Sequence, residues 1–241
     1  MFGLFNRRQS FLQSGLLTGA VDNHSHILYG LDDGVKTQED SLAILRYMEE
    51  QGFTEVWFTP HVMEDVPNTT AGIRARFEEL KAVYDGGLKF NLAAEYMIDT
   101  LFEERLSKDD LLMHGDDVVL VETSCVAPPY NLWDVLESML KAGYRPLIAH
   151  PERYHYMDRQ DYRRLRELGC ILQMNLPSIV GFYGDSVRAR ALYLLDKGWY
   201  SMVGSDCHRF RALQAQYGAM VLKKDTLRKL APLMGGLDED R

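Results

Sequence analysis

The feature that most limits how this chain can fold is an alternation of short apolar runs with longer segments of helical period. The runs are Val21 to Ile27, Glu55 to Thr59, Lys89 to Ala94, Val118 to Glu122, Pro146 to Ala149, Ile171 to Asn175 and Ser201 to Gly204. Between them, "TQEDSLAILRYMEEQG" reads as a helix, with Thr37 as its cap, Ala43, Ile44, Tyr47 and Met48 along one side, and Gly52 just past its end. "NTTAGIRARFEELKAVYDGG", "NLWDVLESMLKAGY", "DRQDYRRLRELG" and "SVRARALYLLDKG" repeat the arrangement. The expectation is an α/β fold, a distorted (β/α)7 relative of the TIM barrel, with an open doubly wound sheet as the alternative. The 241 residues suit one domain, 20–241, preceded by an N-terminal extension, 1–19. Either architecture places its ligands at the carboxyl ends of the strands.

The residues at those ends are unusual. The first run carries His24 and His26, two apart and so on one face of an extended chain. The second runs into "TPH" with His61, the third into "AAEY" with Glu95, the fourth into "LVETS" with Glu122. The fifth ends in "IAHPER" with His150, the sixth in Asn175, the seventh in "GSDCH" with Asp206 and His208. Asp33 joins them from the loop "YGLDDG", where Gly30 and Gly34 allow a tight turn. Five of seven histidines thus fall on one rim, whereas His114, in the turn "MHGDD", reads as an ordinary structural residue.

Five imidazoles and four carboxylates exceed what one tetrahedral ion takes, so two or three ions with bridging carboxylates are expected. Mixed nitrogen and oxygen donors without thiolate suit Mn, Fe, Zn or Co, and Mg is admissible. Three divalent ions would leave the pocket positive, which attracts a phosphate dianion.

The net charge of −8, without clustered Lys and Arg, argues against nucleic acid as partner. Cys125, Cys170 and Cys207 are scattered and unpaired by any CxxC, which points to a reducing cytoplasm. The apolar stretch after Arg7 and Arg8 is interrupted by Gln13, Ser14 and Thr18 and is too short to span a bilayer. At most peripheral membrane contact is expected, with an arm packing under the domain as the simplest role for residues 1–19.

The ordered set "DNHSHILYGLDDG", "TPH", "AAEY", "VETS", "AHPER" and "SDCH" resembles the polymerase and histidinol phosphatase (PHP) superfamily, and most closely its bacterial tyrosine phosphatases of capsular and exopolysaccharide synthesis. The resemblance covers roughly residues 20 to 212. It implies a distorted (β/α)7 barrel with three metal ions, most often manganese, and a metal-bridging hydroxide that hydrolyses phosphotyrosine on the tail of a membrane-bound autokinase. It further implies that His24, His26, Glu95 and Asp206 surround one ion, that Glu95 bridges to a second held by Glu122 and His150, and that Asp33, His61 and His208 hold the third. Arg153 of "HPER" matches an arginine that grips the substrate phosphate. A second family arginine has no counterpart, because position 213 is leucine; Arg209 or Arg211 stands in for it. Tyr29 replaces a common proline, and Asn23 is more polar than usual.

Asp22 reads either as a partner orienting one of the histidines or as a strand cap. No general acid is assigned, His155 and a metal-bound water being the candidates. A cysteine-based phosphatase is excluded, because the residues six positions after the three cysteines are Asn131, Leu176 and Leu213 and none is arginine. No GxxxxGK[ST] loop is present. Histidinol phosphatase, or another small phosphomonoesterase on the same metals, is the nearest alternative activity, and a non-catalytic module of the polysaccharide machinery is the alternative outside the enzymes.

Overall fold

The computed structural model describes residues 8–236, so the first seven residues of the expected extension, Arg7 among them, lie outside it, as do residues 237–241. Eleven strands and eight helices are present among the described residues. The strands are β1 Arg8–Ser10, β2 Val21–Asp22, β3 Glu55–Phe58, β4 His61–Val62, β5 Lys89–Leu92, β6 Glu95–Met97, β7 Val118–Glu122, β8 Arg145–Ala149, β9 Ile171–Asn175, β10 Met202–Gly204 and β11 Val221–Lys223. The helices are α1 Gln38–Gln51, α2 Thr70–Val83, α3 Thr100–Ser107, α4 Leu132–Lys141, α5 Arg159–Glu167, α6 Asp185–Asp196, α7 Phe210–Ala219 and α8 Lys224–Leu230.

Six strands form one curled parallel sheet in the order β10-β9-β8-β7-β6-β4, and β2-β3-β5 form a second parallel sheet. The runs expected as strands from Glu55 to Thr59 and from Lys89 to Ala94 form β3 and β5, and just past the end of each the chain changes sheet in a further short strand, β4 and β6. Pro60, which has no N–H to donate, separates β3 from β4, and Ala93–Ala94 separate β5 from β6. The first run pairs as a strand only through Asp22, yet its continuation spans the gap between the ends of the large sheet. Thr59 N–H donates to the Ser25 carbonyl at 2.9 Å, and His26 N–H donates to the Cys207 carbonyl at 3.0 Å. Ser25 and Cys207 form an isolated parallel bridge.

β7, β8 and β9 are buried on both faces, Arg145 at the start of β8 only in part, and are mostly apolar, as the continuous runs implied. Alternation sorts the faces. Val119 and Val121 pack outward with the helices in the main core, while Val118, Leu120, Leu147, Ala149, Ile171 and Met202 form a small separate cluster. Two residues beyond Leu120 comes Glu122, and two beyond Ile171 comes Gln173, so period two carries polar groups directly above an apolar floor.

α1 begins at Thr37, whose hydroxyl accepts from Asp40 N–H, and ends at Gly52 with φ of 103°. Its buried stripe is Ser41, Ile44, Leu45 and Met48; Ala43 and Tyr47 are only partly covered. The short helix α3 and the C-terminal α7 and α8 were not anticipated. Residues 8–19 pack against the body: β1 pairs antiparallel with β11, and the fully buried Phe11 meets Tyr217 edge-on at 5.5 Å.

Candidate metal centre and active-site cleft

Every predicted rim residue arrives at the same place. His24 and His26 come from the continuation of β2, and their Nε2 atoms stand 3.1 Å apart. Glu95 opens β6 and is fully buried between them, with Oε2 at 3.2 Å from each Nε2 and 3.0 Å from His61 Nδ1. Its Oε1 meets His150 Nε2 at 3.0 Å. Glu122 at the end of β7 lies 3.1 Å from His61 Nδ1 and 3.7 Å from His150 Nε2. Asp206, beyond β10, brings Oδ1 to 3.4 Å from His26 and 3.7 Å from His24. Asp33 reaches over to His208 at 3.3 Å and His61 at 3.7 Å.

Three groups of potential donor atoms result: His24, His26 and Asp206; His61, Glu95 and Glu122; and His26, Asp33, His61 and His208. The resemblance implied a simpler partition. His26 and His61 each stand between two groups here: His26 faces both with Nε2 alone, its Nδ1 being held by Asp32, whereas the two nitrogens of His61 lie on opposite edges of its ring and face different ways. His61 turns Nδ1 to the carboxylates of Glu95 and Glu122 and Nε2 to Asp33.

The donor chemistry fits cations. Glu95 Oε2 and His61 Nδ1 are buried with no hydrogen-bond partner, an arrangement that is costly unless something positive sits between such atoms. Burial alone would raise the Glu95 carboxyl, but the imidazoles of His24 and His61, with the His150 hydrogen bond, hold it well below its usual value. Burial would lower His24, yet Glu95 and Asp206 push it up to about 9, and Glu95 with Glu122 push His61 up to about 12. Burial opposes ionisation of Asp206 too, and His24, His208 and His26 bring it down to about 2. The carboxylates thus demand positive charge, which divalent ions would supply without protons.

Surrounding groups fix the rings. Gln173 Oε1 lies 2.7 Å from His24 Nδ1, and Asp32 Oδ2 lies 2.8 Å from His26 Nδ1, which leaves both Nε2 atoms facing the cluster. Asp32 also accepts from the N–H groups of His61 and Gly34, at 2.9 Å each. Gly34 serves by close approach: a Cβ there would lie 2.3 Å from the His26 carbonyl oxygen. Sequence reading missed Asp32 and Gln173. The signal for Gln173 was present in the parity of β9, whereas nothing in "LDDG" says which aspartate turns inward.

Two of the three non-glycine residues with positive φ among the described residues are His150, at 34°, and Asp206, at 51°. Backbone strain is thereby concentrated at site positions. Asp22 does not touch an imidazole. It accepts from Ser205 N–H at 2.7 Å and Ser205 Oγ at 2.6 Å, tying the first run to the last, and burial pushes it up to about 6. His155 stands outside the cleft with Nδ1 at 3.3 Å from Arg190, and His114 is stacked on Trp57 at 4.2 Å.

Above the cluster lies a cleft of about 360 Å³. Arg153 borders it and donates to Asp206 Oδ2 at 2.8 Å, with its guanidinium 4.6 Å above the Tyr183 ring. Asn175 donates to the same Asp206 oxygen at 2.7 Å and to Tyr183 Oη at 3.2 Å. Arg209 borders the cleft from its rim; Arg211 lines an adjoining depression.

A family model for capsular polysaccharide synthesis, CpsB/CapC, matches residues 20–226. The chain belongs to the CpsB/CapC family. Among its curated relatives, the tyrosine-protein phosphatase CpsB of Streptococcus agalactiae is 28% identical over 207 residues, 78% of this chain and 82% of its own. The tyrosine-protein phosphatase YwqE of Bacillus subtilis is 28% identical over 214 residues, 85% of this chain and 84% of its own. In three dimensions the chain matches a crystal structure from work on YwqE of B. subtilis and CpsB of Streptococcus pneumoniae, described as metal-dependent tyrosine phosphatases. The TM-score is 0.76 at 28% identity, over 87% of this chain and 86% of that one.

Proposed function

We propose that this CpsB/CapC member is a metal-dependent protein tyrosine phosphatase. The observation that carries the reading is the convergence of nine imidazoles and carboxylates, with Arg153 beside them, at the floor of one cleft. Three ions account for the three donor groups, with Glu95 near the first two and Asp33, His61 and His208 around the third. Manganese is the proposed metal, consistent with the mixed N/O donors. When bound, such ions supply Lewis acidity toward a water nucleophile and neutralise the phosphate.

The remaining work falls to the chain. Arg153 is placed to grip the equatorial phosphate oxygens as charge builds on them, its planar fork suited to two at once. Arg209 is the proposed second arginine, from its place on the rim. A tyrosine leaving group, with a pKa near 10, needs less protonation than an alkoxide, which fits a cleft without an evident general acid. The seven-unit barrel is supported by the bridge through Ser25 between Thr59 and Cys207. The proposed substrate is the phosphotyrosine tail of a membrane-bound autokinase, met in the cytoplasm; none of the described helices is long and apolar enough to cross a membrane.

Protein purified without chelator should hydrolyse a phosphotyrosine peptide in preference to histidinol phosphate, and lose the activity on chelation. A strong preference for histidinol phosphate would transfer the substrate assignment to the small-molecule alternative.

A further inference from the structure

Phe182 is 56% exposed, one of few large apolar side chains so placed, and it stands at the mouth of the charged cleft. An isolated exposed phenylalanine would need no explanation, but this one is held in a defined stack. Its ring meets Tyr183 edge-on, with centroids 5.1 Å apart and planes at 88°. Tyr183 in turn lies under the Arg153 guanidinium at 4.6 Å and bonds Asn175, which bonds Asp206. The segment carrying both rings is pinned by Gly181 N–H to the Ser178 carbonyl at 3.1 Å and by Gly184 N–H to the Gly181 carbonyl at 2.9 Å. Arg188 Nε adds a bond to the Ile179 carbonyl at 3.2 Å.

We propose that Phe182, backed by Tyr183, is the wall that receives the aromatic ring of the substrate, and so determines selection of aryl over alkyl phosphates. The inference rests on the phosphatase reading and adds the residues that choose the ester. A phosphate gripped by Arg153 has its ester oxygen directed out of the cleft. An aryl ester then places a flat ring beyond that oxygen, at the one side of the mouth where an apolar ring is free to meet it edge-on or offset. An alkyl ester places a methylene there and leaves the Phe182 face wet. Tyr183 acts as a positioning residue, because its ring lies under the guanidinium that Asp206 also holds.

The test separates ring binding from leaving-group chemistry by using phosphonates, which are not hydrolysed. Affinities of phenylphosphonate and methylphosphonate for the full chain loaded with Mn²⁺ are measured by calorimetry. The wild-type chain should prefer the phenyl compound by about 10-fold, the size of one good aromatic contact, and Phe182→Ala should reduce the preference to about 2-fold or less. Phe182→Tyr should restore it, and Val83→Ala, an exposed apolar site on α2 away from the cleft, should leave it intact. The same preference in Phe182→Ala as in wild type overturns the wall, whatever the turnover. Absence of phosphotyrosine hydrolysis in the wild-type chain overturns the phosphatase reading instead, because phosphonate binding is read without turnover.

Discussion

Arg153 and Asp206 are joined by a single ion pair at 2.8 Å, and the other oxygen of the same carboxylate faces His26 at 3.4 Å. One side chain therefore connects the arginine proposed to grip phosphate with imidazoles that could hold metal.

Replacing Arg153 with lysine keeps the charge and loses the planar fork. The kcat/KM for a phosphotyrosine peptide is expected to fall about 100-fold, equivalent to about 2.7 kcal/mol of transition-state stabilisation, with bound metal per chain retained. A loss under threefold would remove Arg153 from the phosphate.

Metal uptake should release protons. Without ions, His24 stays protonated up to about 9 and His61 up to about 12, so at neutral pH a cation must displace protons from both. Affinity is expected to rise with pH through the neutral range toward about 9. Calorimetric titration of stripped protein in buffers of different ionisation enthalpy reads the protons directly, and a pH-independent affinity would contradict the electrostatics described here. Chelation should also lower Tm, because ions that bind only the folded chain stabilise it.

Asp32→Asn tests the support of the rings. The carboxylate fixes His26 Nδ1 at 2.8 Å and receives two backbone N–H groups. Metal affinity is expected to drop about 10- to 100-fold while the donor atoms themselves remain. Equal metal content at limiting Mn²⁺ would show that the ring needs no such partner.

His114 sets an acid limit on stability. Burial, with a smaller contribution from His24, pushes it down to about 3, so the folded chain holds it neutral while the unfolded chain protonates it near 6.5. The depressed value means that stability is complete above 6.5 and declines as pH falls toward 3. Between pH 7.5 and 5 the contribution of this one group should fall by about 2 kcal/mol, read as the difference between the wild-type chain and His114→Phe in denaturant titrations. His114→Phe keeps an aromatic on Trp57 and should flatten that decline.

Much of the candidate site could be read in the residues because side chains at the carboxyl ends of parallel strands gather at one rim, and His24, His61, Glu95, Glu122, His150 and Asp206 each follow or close a recognisable apolar run. Less was visible where local pattern is silent. Asp32 and Asp33 are adjacent and chemically identical, and only the packing of Gly34 against His26 turns one under the ring and the other over the cleft. The α1 stripe holds Ile44 and Met48 as read, but Ser41 and Leu45, not Ala43 and Tyr47, complete its fully buried face. The eight residues of α3 are too few for a helical period to stand out.

The amino-acid sequence by itself determined the parallel α/β class, the face that carries chemistry and the nitrogen and oxygen character of the donors, since these follow from periodicity and side-chain type. Tertiary structure alone decided which donor atoms lie close together, that His26 and His61 each stand beside two such groups, and that Phe182 lines the cleft. Those outcomes depend on how the curled sheet brings Asp206 and His208 back beside His24 and His26. Distances near 3 Å between opposite ends of a chain are set by that closure and by no local preference.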